Sequence, residues 1–92
     1  MQRNKRDVEA SLRKKGFVQD ERHHHYFIYQ TLDGRKTTVR TRTSHSGKEL
    51  GVQLLKLMAR QCCLDRDQFQ QLVDCPLSRE QYETLLDDLG EL

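Results

Sequence analysis

From Phe17 to Thr43 the chain switches to β-branched and aromatic residues: Phe17-Val18, then Tyr26-Phe27-Ile28-Tyr29, then Thr37-Thr38-Val39-Arg40-Thr41. These types fit a pleated, half-buried surface and predict three strands. Asp33-Gly34, between the second and third runs, is a hairpin signal, because glycine accepts the positive φ that such turns require. The weaker turn between the first two runs falls at Asp20-Glu21-Arg22. Along the third strand, alternation puts Thr37, Val39 and Thr41 on one face and Thr38, Arg40 and Arg42 on the other. One face is therefore suited to packing, and the other is too rich in cations to be buried.

Helical patterns flank this block. Asn4 can cap a helix with Asp7 in its first turn, Val8 and Leu12 one turn apart, and Lys14-Lys15 before Gly16. After a Thr43–Gly47 loop, Leu50, Leu54, Leu57 and Met58 follow the stripe of an amphipathic helix, widened by Leu55, Ala59 and Cys62. Asp65 with Gln68, and Ser78 with Gln81, are capping-box pairs. They open two short helices whose apolar residues are Phe69, Leu72 and Val73, then Tyr82, Leu85, Leu86 and Leu89, with Cys75-Pro76 between them. The expected fold is α+β: an α-β-β-β-α unit over residues 1–63 with a three-stranded antiparallel sheet covered by helices on one face. Residues 64–92 form a C-terminal helical extension packed on the same domain.

With 92 residues the chain has room for one domain, and with 35% apolar against 33% charged residues its core must be small. That leaves little for a deep small-molecule pocket. No apolar run is long enough to span a bilayer, and Met1-Gln2-Arg3-Asn4-Lys5-Arg6 lacks the apolar stretch of a secretory signal, so a cytoplasmic protein with no membrane partner is expected. Cys62, Cys63 and Cys75 are an odd number with two adjacent, which reads as reduced thiols in packing roles rather than a disulfide framework. The net charge of +2 divides unevenly. Residues 1–48 hold twelve Lys and Arg against five Asp and Glu, and residues 49–92 hold four against nine. A basic half that carries every histidine is thus joined to an acidic half.

The histidine run His23-His24-His25 opens the second strand. Alternation places His23 and His25 on the Phe27 face and His24 on the Tyr26 face. An imidazole titrates near cytosolic pH, so one beside a cationic face can take the proton of a ribose 2′-hydroxyl and drive its attack on the adjacent phosphate without a metal. Arg40 or Lys36 would stabilise the charge that develops. The plainer alternative is that these are strand histidines satisfied by backbone groups. A metal set of His23 and His25 with His45 or a cysteine lacks ligand spacing, so neither metal nor cofactor is expected. Arg35, Lys36, Arg40 and Arg42 make a track suited to phosphates, while Tyr26 and Tyr29 are suited either to base stacking or to packing.

The helix ending at Gly16-Phe17, the His-His-aromatic opening of the hairpin, the segment Asp33-Gly34-Arg35-Lys36-Thr37-Thr38-Val39, and Lys48-Glu49-Leu50 leading into a helix together resemble HicA-type toxins over about residues 4–62. These are small bacterial mRNA interferases with a double-stranded-RNA-binding-domain-like fold. The resemblance implies a metal-independent endoribonuclease of a toxin–antitoxin system, with mRNA as substrate and a cognate antitoxin as partner. The family's functional histidine stands three residues before an aromatic. Both His24 with Phe27 and His23 with Tyr26 fit. His24 is preferred because that register lengthens the hairpin before Asp33-Gly34 by an even number of residues and so preserves which side chains face the core, with His25 as a further alternate. Arg22, Arg35, Lys36, Arg40, Arg42 and Lys48 would contact the nucleic acid. Here Glu21-Arg22 or Arg22-His23 stands where the family has Gly-Ser, and an acidic extension follows its usual end. Two other readings remain open: a non-catalytic RNA-binding module, and a protein-interaction domain that uses the acidic helical end, which can also be laid over the basic face.

Overall fold

The computed structural model describes residues 3–20, 22, 25–43, 47–74 and 76–92. Asn4 caps the first helix, α1 (Lys5–Lys14), its side-chain Oδ1 accepting from the Asp7 N–H at 3.2 Å. The helix stops where Gly16 takes φ +101, and the Gly16 carbonyl then accepts from Gln30 N at 3.0 Å. That bond ties the helix end to the sheet. The sheet runs β2 (Phe17–Gln19), β3 (Tyr26–Gln30) and β4 (Lys36–Arg42), antiparallel throughout and in that spatial order. At the β3–β4 turn Gly34 has φ +89, and the Thr31 hydroxyl donates to the Asp33 carboxylate. The Arg35 N–H donates back to Thr31 Oγ1 at 2.9 Å, which closes the turn. At the β2–β3 connection Asp20 Oδ1 accepts from Arg22 N at 2.9 Å.

Strand alternation separates the two faces. Phe17, Phe27, Tyr29, Val39 and Thr41 are buried under the helices, whereas Val18, Thr38, Arg40 and Arg42 are exposed on the far side. The fold is thus α+β, a three-stranded antiparallel sheet with its helices on one face. The helices α2 (Val52–Gln61), α3 (Arg66–Val73) and α4 (Arg79–Asp88) all contribute to the same core, α4 through Tyr82 and Leu86. Both capping boxes form: Asp65 with Gln68, and Ser78 with Gln81. Among the described residues no helix is long and apolar enough to cross a membrane.

Three features differ from the sequence expectation. Two-residue strands β1 (Arg3–Asn4) and β5 (Glu49–Leu50) pair antiparallel, with Leu50 buried opposite Arg3, so Leu50 precedes α2 instead of beginning its stripe. Within α2 the buried residues are Met58 and Ala59, with Cys62 buried at its C-cap, while Leu57, about 100° round the helix from Met58, is 41% exposed. Leu89, expected on the apolar side of the last helix, is 59% exposed because it follows α4 as its C-cap residue.

The last helix is bound to the sheet by polar contacts as well as packing. Tyr82 packs on Phe17 and Tyr29 with ring centroids 5.8 and 5.2 Å away, and its hydroxyl donates to the Cys62 carbonyl at 2.8 Å. Tyr29 donates to Glu83 Oε1 at 2.7 Å, and the same oxygen accepts from Leu32 N at 2.8 Å. Arg79 donates to the carbonyls of Gln30 and Thr31 at 2.9 and 3.3 Å. Lys15, expected with Lys14 at the end of the first helix, is buried, and its ammonium donates to the Leu77 carbonyl.

Candidate nucleic-acid interface

The face that the helices leave uncovered is built from cross-strand pairs. Register places Tyr26 opposite Arg42, Ile28 opposite Arg40, and Gln30 opposite Lys36, with Val18 on the other side of Ile28. Regular pairing beyond Ile28–Arg40 would set Thr38 opposite Gln30. The register shift between Ile28 and Gln30 instead brings Lys36 to that place. The Thr37 hydroxyl supports the shift by donating to the Tyr29 carbonyl at 2.8 Å. The Arg42 guanidinium lies 5.9 Å from the Tyr26 ring centroid, a cation–π contact that holds both flat groups on the open face. A broad hollow beside these pairs is lined by Val18, Asp20, Arg22, Ile28, Gln30 and Lys36.

Of the expected nucleic-acid contacts, Arg22, Lys36, Arg40 and Arg42 therefore share one side of the molecule. Arg35 lies at the hairpin tip, where its Nε stands 3.1 Å from Asp33 Oδ2. Bonds from the Thr31 hydroxyl and the Arg35 guanidinium hold the Asp33 carboxyl below its ordinary range, and this local pairing offsets the Arg35 charge. Lys48 lines a separate hollow with Lys5, Arg6 and Glu9 at the start of α1. Tyr26 is on the open face, whereas Tyr29 is in the core, where burial first and then Glu83 push its hydroxyl up to about 12. Of the acidic extension, Glu91 borders a hollow shared with Arg35 and Lys36. Tyr82 and Leu86 of α4 are buried in the core on the other side of the sheet.

His23, His24 and His45 lie outside the described residues. His25 is half-buried, with Nδ1 3.9 Å from Glu9 Oε2 and 3.5 Å from Thr43 Oγ1. The Thr43 hydroxyl donates to the same Glu9 oxygen at 2.6 Å. His25 is thereby drawn to the helix side of the sheet, away from the face that carries Tyr26. Cys62 is fully buried, and burial raises its thiol pKa far above the range of a nucleophile. Burial raises Cys63 as well, with Glu91 adding to the effect, and Cys75 lies outside the described residues. Among the described residues no three His, Cys, Asp or Glu side chains gather as a metal site.

No family model, curated protein or solved structure matches the chain. What the face offers chemically is a row of exposed cations beside a shallow, partly apolar strip, a combination suited to a polyanion that carries flat groups. Sequence reasoning found the cations but missed the strip of Val18, Ile28 and Gln30. Its signal was present in the alternation of Tyr26-Phe27-Ile28-Tyr29-Gln30, which separates core residues from open-face residues two by two.

Proposed function

We propose that this protein binds RNA on the open face of its sheet and cleaves it without a metal, as a toxin of a toxin–antitoxin pair similar to the HicA type. The observation that carries the reading is the exposed row Lys36, Arg40 and Arg42 on a sheet face that, among the described residues, no helix covers. The α-β-β-β-α order agrees with the resemblance drawn from the sequence. His25 is engaged by Glu9 and Thr43, so proton transfer is assigned on sequence grounds to the preceding histidines, His24 first and His23 second. In this reaction the histidine takes the proton of a ribose 2′-hydroxyl, and the 2′-oxygen bonds to the adjacent phosphorus. The bond to the 5′-oxygen breaks, and that oxygen leaves as a hydroxyl on taking a proton from water, the histidine giving its own proton back to solvent. Arg40 and neighbouring cations stabilise the charge that builds on the phosphoryl oxygens. The antitoxin would bind over the same face.

Single-stranded RNA incubated with the purified protein in EDTA should yield fragments ending in 2′,3′-cyclic phosphate and 5′-hydroxyl. His24→Ala should abolish cleavage and keep binding. Salt-sensitive binding with no cleavage would reduce the reading to a non-catalytic RNA-binding module, and absence of both would end it.

A further inference from the structure

The open face repeats one chemical unit three times. Each cross-strand pair sets a cation on β4 beside a side chain on β3 that suits a nucleobase: Arg42 with the Tyr26 ring, Arg40 with the Ile28 side chain, and Lys36 with the Gln30 amide. The middle pair is widened by Val18, which is 44% exposed and continues the aliphatic floor across β2. Residues two apart on a strand are about 6.7 Å apart. That is about twice the 3.4 Å stacked repeat of a duplex strand, so successive bases can meet successive pairs only if they are unstacked from one another. A duplex keeps its bases stacked and turned inward, out of reach of a flat sheet. The irregularity in β4 matters here, because it places a lysine rather than a threonine beside Gln30 and so completes the third unit.

We infer that the face is a three-nucleotide seat for single-stranded RNA. The phosphates lie along Arg42, Arg40 and Lys36, and the bases turn onto Tyr26, Ile28 with Val18, and Gln30. This rests on the RNA-binding reading above and adds to it the strandedness of the ligand and the residues that touch bases. Tyr26 and Val18–Ile28 offer stacking surface that tolerates any base. Gln30, whose Nε2 donates to the Gly34 carbonyl at 2.9 Å, keeps a second N–H and its amide oxygen, and is the position able to select among bases by hydrogen bonding.

The test uses fluorescence anisotropy with 2′-O-methyl RNA of about ten nucleotides, a length in the range that single-strand platforms cover and a chemistry that cannot be cleaved through its 2′-oxygen. Three probes are compared in about 0.1 M salt: the single strand, the duplex of the same sequence, and an abasic chain with the same backbone. The single strand should bind at least about tenfold more tightly than the abasic chain, since each stacked base contributes a factor of that order. Ile28→Thr, which keeps a β-branched strand residue, should shrink that advantage several-fold and leave abasic binding unchanged. Arg40→Ala should weaken both probes and flatten the salt dependence. Equal affinity for single strand and abasic chain, or tighter binding of the duplex, would overturn the seat while leaving RNA binding intact. No binding of any probe would remove the RNA-binding reading and the seat together.

Discussion

Gly16→Ala is the substitution whose cost can best be worked from the structure. Gly16 sits at φ +101, where a side chain strains the backbone by about 1–2 kcal/mol. A Cβ there would also stand 2.5 Å from Arg79 Nε and 2.8 Å from Tyr29 Cε1, closer than atoms at those positions tolerate. Moving Arg79 aside disturbs its donations to the Gln30 and Thr31 carbonyls, and hydrogen bonds from a charged donor are worth about 1.5–3 kcal/mol. The total is roughly 3–5 kcal/mol, a large part of the 5–15 kcal/mol that a small domain has. Urea unfolding followed by circular dichroism should show a midpoint lowered by that free energy divided by the slope, with the slope itself unchanged. In an Arg79→Ala background the alanine at position 16 should cost about 1–2 kcal/mol less, because the guanidinium no longer occupies the space. A loss below about 1 kcal/mol in the parent, or no coupling between the two positions, would refute the packing argument.

Other expectations concern helix ends and surface charge. Ser78→Ala and Asp65→Ala each remove the N-cap half of a capping box and should each cost about 1 kcal/mol in urea unfolding, with Ser78→Asp retaining most of the stability. The Arg3–Asp74 pair, 2.6 and 2.8 Å across its two bonds, holds Asp74 below its ordinary value. A depressed carboxylate adds stability above its unfolded-state pKa and loses it as pH falls through the folded value. The pair is partly exposed, so Arg3→Ala should cost less than about 1 kcal/mol at neutral pH, and the difference should shrink as pH falls and Asp74 takes up a proton.

Local chemistry made much of the fold legible in the sequence. Asn4, Asp65 and Ser78 cap helices through bonds that span only three residues, and Gly34 closes its turn within five. Alternation in the strands assigned Arg40 and Arg42 to the open face for the same reason: the rule is local. Contacts between distant segments were not legible. The β1–β5 pair is two residues long on each side, too short for any periodicity. Lys15 looks like every other surface lysine until α1 is set against Leu77, 62 residues away. Arg35 reads as one more cation until the turn pairs it with Asp33. The strip of Val18 and Ile28 became a candidate base platform only once β2 and β3 were in register with the cations of β4.

The polar ties between the first and last helical regions carry a kinetic consequence. Arg3 to Asp74, Ser11 to Val73, Lys15 to Leu77 and Tyr29 to Glu83 span 54 to 71 residues of chain. Forming them closes loops that include most of the protein, and closures of that length carry an entropic cost that the local hairpins do not. During synthesis the part of the core where Tyr82 packs on Phe17 and Tyr29 therefore stays open until Tyr82 and Leu86 have left the ribosome, and nascent chains stalled before Tyr82 should be cut readily by protease. The open face of the sheet thus gains its full backing only after nearly all of the chain has been translated.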